Sequence, residues 1–182
     1  ACGRAHSDVL WTHNDSGNHP EIFGLAADGT LRSRVSVTGV LFNDWEDMEA
    51  RPCAAGNCIY IADIGDNEGQ RSHVSIYEVP EPAPGAKEVA ASRAINARYS
   101  DGPQDAEALF ILPSGEFYVV TKGRQKSIKL YRLNAAGAGD HSTLELIREL
   151  APQPTAEADR VTAATASPNG EWVAIRSYAN LF

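Results

Sequence analysis

Residues 43–67 read NDWEDMEARPCAAGNCIYIADIGDN, and the architecture expected of the whole chain follows from them. A short run at 46–52, a turn bracketed by Cys53 and Cys58 and containing Gly56-Asn57, and an alternating run from Ile59 to Ala62 predict a β-hairpin. One acidic cluster (Asp44, Glu46, Asp47) precedes the hairpin, and a second (Asp63, Asp66, with Asn67) follows it. A hairpin brings its outer ends together. These carboxylates should therefore become neighbours and repel one another unless something positive lies between them.

The same texture extends in both directions. Short alternating runs lie at 8–13, 21–26, 31–38, 46–52, 58–63, 74–79, 93–99, 106–112, 116–121, 128–133, 144–150, 161–167 and 171–176, punctuated by Gly and Pro, with no sustained helical period. Short strands in such number predict an all-β fold. Residues 80–92, PEPAPGAKEVAAS, read as an exposed loop, and Ala135 to Asp140 as a turn.

The runs also repeat. DAEALFILPSGEFYVVTKG (105–123) lies over DWEDMEARP and CIYIADIG. RVTAATASPNGEWVAIRSY (160–178) lies over it in turn, with Pro113/Pro168 and Gly115/Gly170 in register. Four-strand units at this spacing point to a β-propeller, in which the first strand of every blade lines a central channel. The expected blade units are about 1–43, 44–104, 105–159 and 160–182, a single domain of about three and a half blades. Closure typically needs about four or more. The expectation is therefore a piece of a longer propeller, or two copies completing one ring. Trp11, Tyr60, Phe117 and Trp172 recur near the start of successive second strands and are expected to fill blade cores.

The 182 residues are 43% hydrophobic and carry a formal net charge of −8, which excludes the cationic face that a phosphate backbone requires. No apolar run approaches the roughly 18 residues that span a bilayer. The Cys53/Cys58 spacing suits a disulfide clipping a hairpin end, with two buried thiols as the alternative. A disulfide implies an oxidising, extracellular or periplasmic location. Cys2 has no evident partner; a lipid anchor there is an alternative that the single preceding Ala does not support.

HNDSGNHPEIFGLAADG (13–29), DWEDM (44–48), IADIGDN (61–67), IYEVPEP (76–82), DAEAL (105–109) and VTAATASPNG (161–170) together resemble a family of poorly characterised secreted bacterial β-propeller proteins. More distantly they are similar to calcium-dependent esterase-like, phytase-like and strictosidine-synthase-like propellers. The resemblance covers nearly the whole chain and implies fold far more specifically than reaction.

On a propeller frame, the acidic clusters fall on one rim. Asp44, Glu46, Asp63 and Asp105 are the candidate metal ligands, with Asn14, Asp15, Asp66, Asn67 and Glu107 beside them. Hard oxygen donors converging from several loops suit Ca²⁺. Asp at a strand start and Asp-Asn after a strand are also ordinary turn formers. His13, Lys122 and Arg176 are the candidate catalytic groups, and His19 is a second histidine in the first loop. Nucleophile elbows and phosphate-cradling glycine loops are absent from the sequence. The preferred expectation is an extracellular propeller that binds a ligand or protein at this rim. The alternative is a metal-dependent ester or phosphoester hydrolase using the same residues.

Overall fold

A computed structural model describes residues 1–134 and 142–182. Ala135 to Asp140, expected as a turn, lies outside the described residues. Among the described residues fourteen strands make up the fold: β1 (Leu10–His13), β2 (Glu21–Leu25), β3 (Leu31–Thr38), β4 (Trp45–Cys53), β5 (Gly56–Asp63), β6 (Val74–Pro80), β7 (Glu88–Ala90), β8 (Arg93–Tyr99), β9 (Ala106–Ile111), β10 (Phe117–Thr121), β11 (Ile128–Asn134), β12 (Ser142–Ala151), β13 (Val161–Ala166) and β14 (Val173–Ser177). The expected all-β class holds: among the described residues the only helical element is a 3₁₀ turn at Glu157–Asp159.

Strand order is β1-β2-β3-β7 in one sheet, β4-β5-β6-β8-β12-β11-β10-β9 in a second, and β13-β14 in a third. The eight-stranded sheet consists of two antiparallel meanders, β4-β5-β6-β8 and β9-β10-β11-β12, joined by a short parallel pairing of Ser142–Leu144 with Ala97–Tyr99. Its end strands β4 and β9 return to each other, so the sheet is barrel-like and nearly closed. Asp47 joins them: its Oδ2 accepts the Leu109 N–H at 2.9 Å and the Ala164 N–H of β13 at 3.1 Å.

Residue alternation explains the packing. On β5, Cys58, Tyr60 and Ala62 face a core shared with Leu109, Val119 and Tyr131 of the second meander. The alternate residues Ile59 and Ile61 face a core shared with Trp11, Ile22 and Val35 of the first sheet. Covered on both faces, the strand reads as a near-continuous apolar run. A third cluster packs Phe110 and Val120 against Val161 and Ala164.

Several expectations are corrected. Residues 80–92 are not wholly loop: β7 pairs in parallel with β3 through Val37 and Val89. That strand is made by its tertiary partner, and its Pro- and Ala-rich surroundings carry no alternation to reveal it. The hairpin tip is Ala54-Ala55, while Gly56, at φ +105°, opens β5 with Asn57 opposite Pro52. Trp11 and Tyr60 are buried and Phe117 is half-buried, but Trp172 is 59% exposed and fills no core. The Cys53–Cys58 disulfide is formed, with Cα atoms 5.8 Å apart. Cys2 is exposed and free.

Candidate functional site

Three strands, β4, β9 and β13, open with the same irregularity. In β4, Trp45 pairs with Asp63 and Asp47 with Ala62, leaving Glu46 as an extra residue. In β9, Ala106 pairs with Thr121 and Ala108 with Val120, leaving Glu107. In β13, Val161 pairs with Ser177 and Ala163 with Arg176, leaving Thr162. Each is a β-bulge, a device that re-aims one side chain out of the pleat. Two of the three re-aimed side chains are carboxylates, and they meet: Glu46 and Glu107 share a hydrogen bond.

Around Glu46 the first loop closes in. Asp15, Asp44 and Glu46 each present an oxygen within 4.8 Å of the others. Asp15 is exposed, and Asp44 and Glu46 are half-buried. Asp15 Oδ1 accepts the Ser16 N–H at 2.5 Å, and Asn18 Nδ2 donates to the Asp15 carbonyl at 3.0 Å, which shapes the loop. Gly65 forms the floor, donating its N–H to the Asp44 carbonyl at 3.2 Å. A methyl group there would displace Glu46 Oε1 and Asp44 Oδ2, so glycine lets the backbone approach the carboxylates where they stand.

The electrostatics follow from this crowding. Burial, then the charges of Glu107, Asp44 and Asp15, push the Glu46 carboxyl well above its ordinary value. Burial likewise raises Asp44. Glu107, also raised by burial, is ion-paired with Lys122, so the shared proton rests on Glu46. Lys122 is itself raised by its hydrogen bond to Glu107.

The other candidates are divided among structural tasks. Asp63 is fully buried. Its Oδ2 accepts the Asn43 N–H at 3.0 Å, its Oδ1 accepts the Asp44 N–H at 3.2 Å, and Arg71 pairs with it at 2.8 Å. Asp63 therefore stands beside Asp44 as the hairpin demands, with its oxygens turned to the backbone and a guanidinium. Asp66 caps its own loop by accepting the Gln70 and Arg71 N–H groups. Asp105 Oδ1 accepts the Asp66 N–H at 3.1 Å. Asn67 bridges the meanders, donating to Asp44 Oδ2 at 3.4 Å and accepting from Arg124.

His13 is half-buried with its ring edge-on to Trp45, and its Nδ1–H donates to the Asn14 carbonyl at 2.9 Å. Burial holds its pKa below the ordinary value. Asn14 and His19 are exposed on the same loop. Arg176 is exposed along the β13–β14 hairpin, where it faces Ala163 rather than the carboxylates.

Three features escaped the sequence reading. Asp47 is the staple of β4, β9 and β13, and burial pushes its carboxyl up to about 7 against the downward pull of the Leu109, Ala164 and Met48 N–H groups. Arg71 neutralises Asp63, and Gly65 floors the cluster. A signal for the bulges was present. Trp45 and Met48, Ala106 and Leu109, and Val161 and Ala164 each lie three apart yet share one core, which strict alternation forbids.

Comparison with known proteins gives no match, either to a family model or to a curated protein. The donor set itself is the test of whether a cation fits. Three hard carboxylate oxygens within reach of one ion suit a divalent cation with oxygen preference, and nothing in the set selects Ca²⁺ over Mg²⁺ or Mn²⁺.

Proposed function

We propose that this chain is part of an exported β-propeller that binds a divalent cation at Asp15, Asp44 and Glu46 and uses that rim to hold a ligand or protein partner. The observation that carries the reading is the convergence of three carboxylates from two elements on one point over the Gly65 backbone. Lys122, on which the Glu46 charge acts, is already paired with Glu107. Like charges so placed need either a proton or a cation between them. The recurrence of the bulge in β4, β9 and β13, and the two consecutive four-strand meanders, support the propeller architecture. The disulfide supports an oxidising compartment, and among the described residues no helix is long and apolar enough to cross a membrane.

The experiment is calorimetric titration of Ca²⁺, Mg²⁺ and Mn²⁺ into chelator-treated protein. One saturable site is expected, weakened at least tenfold by Glu46→Gln and by Asp44→Asn, and unchanged by Glu116→Gln on the distant β9–β10 turn. Binding that ignores Glu46 and Asp44 would overturn the reading.

The pairing of Glu46 with Glu107 beside Lys122 favours one further reading, a metal-dependent ester or phosphoester hydrolase. With a cation on Asp15, Asp44 and Glu46 in place of the Glu46 proton, the adjacent Glu107 carboxylate would remain beside Lys122 as the base. A bound cation would add polarisation of the scissile oxygen. Turnover of simple esters or phosphoesters, lost with chelator and with Glu107→Gln, would establish it.

A further inference from the structure

The strand that opens at the acidic rim continues into a site of different chemistry. From Asp47 to Arg51, β4 forms one wall of a cleft of about 810 Å³. Residues of β13 line it as well, together with Trp172, Leu181, Arg4 and Arg176. Its lining is mainly apolar, carried by Met48, Ala50, Ala164 and Ala166 among others. Volume and lining match those of pockets that enclose a small molecule, apolar walls with a few placed polar groups.

One of those polar groups is unsatisfied. Arg51 is only 5% exposed. Its Nη2 donates to the Ala166 carbonyl at 3.1 Å and lies 3.8 Å from Glu49 Oε1, yet its Nε–H is buried without an acceptor. A buried guanidinium donor left unmade is costly, and a turn of the side chain toward the cleft would let a ligand oxygen relieve it. The local charge balance agrees. Arg4, held over the wall by Nε donating to the Ala50 carbonyl at 2.7 Å, joins Arg51 and Arg176 against Asp47 and Glu49. The Asp47 carboxylate is occupied by three backbone N–H groups, and Glu49 Oε2 by the Thr165 hydroxyl. The cleft is thus a basic spot in a chain of net charge −8.

We propose that this cleft binds a small apolar molecule carrying one carboxylate, with the carboxylate at Arg51 and the apolar body along β13 and Trp172. The chemistry is that of a medium-chain or aryl carboxylic acid, matched by charge to the arginines and by surface to the alanine-lined wall.

The test is titration of decanoate and, separately, of decanol into the whole chain. Binding is followed by tryptophan fluorescence, because Trp172 is exposed in the cleft while Trp11 and Trp45 are buried. Decanoate should saturate one site and bind at least tenfold more tightly than decanol. Arg51→Gln should cost decanoate tenfold or more and leave decanol unchanged, the loss expected for a charge-assisted hydrogen bond. Because Arg51 also neighbours Glu49, the exposed lining residue is the second variant, Arg176→Gln, with an expected loss of two- to threefold for decanoate alone. Equal affinity for acid and alcohol would overturn the proposal, as would decanoate binding that survives both substitutions. So would a chain in which a second copy already shields Trp172 and decanoate does not saturate.

Discussion

At the start of β4, Glu46 bulges out between Trp45 and Asp47; at the start of β9, Glu107 bulges out between Ala106 and Ala108. The backbone device is the same, and the neighbours are not. The strand after the first bulge ends in Asp63, whose carboxylate caps the Asn43 and Asp44 N–H groups, and the loop beyond it brings Gly65 against Asp44 and Glu46. The strand after the second ends in Thr121, whose hydroxyl accepts the Lys129 N–H and donates to the Ser127 carbonyl, followed by Lys122, which pairs with Glu107. One opening therefore crowds carboxylates that need a proton or a cation among them, and the other pairs its carboxylate with a lysine. A repeated backbone fixes where a side chain emerges, and its neighbours fix whether that side chain is a ligand or half of an ion pair.

The largest separation of the two openings should come from their strand ends. Asp63→Ala strands Arg71 and two N–H donors in the interior and should cost about 3–5 kcal/mol. Thr121→Ala removes neutral hydrogen bonds and should cost about 1 kcal/mol. Urea unfolding of both variants measures the difference, and equal losses would mean that the two ends do the same work.

The far ends of the two hairpins also differ. The first is clipped by Cys53–Cys58, the second by the Leu112 N–H to the Glu116 carbonyl and the Gly115 N–H to the Leu112 carbonyl. Closing so short a loop contributes about 2 kcal/mol in the chain-entropy account. Reduction should raise amide exchange in β4 and β5 more than in β9 and β10, and should leave cation affinity at the opposite end of the hairpin within twofold.

Substituting the bulged residues themselves should give effects of opposite sign. Glu46→Gln supplies a neutral group without the proton uptake that the buried carboxyl requires, and should stabilise cation-free protein by about 1 kcal/mol while abolishing its stabilisation by cation. Glu107→Gln leaves Lys122 without its partner and should destabilise by about 1–2 kcal/mol. Thermal unfolding with and without cation reads both, and the comparison fails if the two variants shift in the same direction.

The smallest expected effect is that of pH. Asp44, Glu46, Asp47 and Glu107 all have folded pKa values raised by burial. Such a carboxyl holds its proton more tightly when folded, so its contribution is fully present below the unfolded value and is lost as pH rises through the folded one. For Asp47 that window runs from its ordinary 3.8 to about 7. His13, lowered by burial, acts in the opposite sense below its ordinary 6.5. Cation-free protein should therefore melt a few degrees lower at pH about 8 than at pH about 6.5. Saturating cation should flatten this slope, as should Glu46→Gln.

The first hairpin was legible from its residues because it is local. Asp44 and Asp63 meet across one hairpin, whose short Cys-bracketed turn sets the pairing register. Asp15 was placed near the rim but not among the ligands, since its approach depends on the first sheet packing against β4 and β5. Asp63 was placed among the ligands, and tertiary packing turned its oxygens inward. From composition and alternation alone came the all-β class, the hairpin, its disulfide and the acidic ends, all set by short-range geometry and the period of two. Which carboxylates face one another, which are capped by backbone N–H groups, and where Arg71, Lys122 and Gly65 stand among them depend on contacts between residues far apart in sequence. A side chain's type and spacing carry its charge, but only the packed neighbours carry the compensation of that charge.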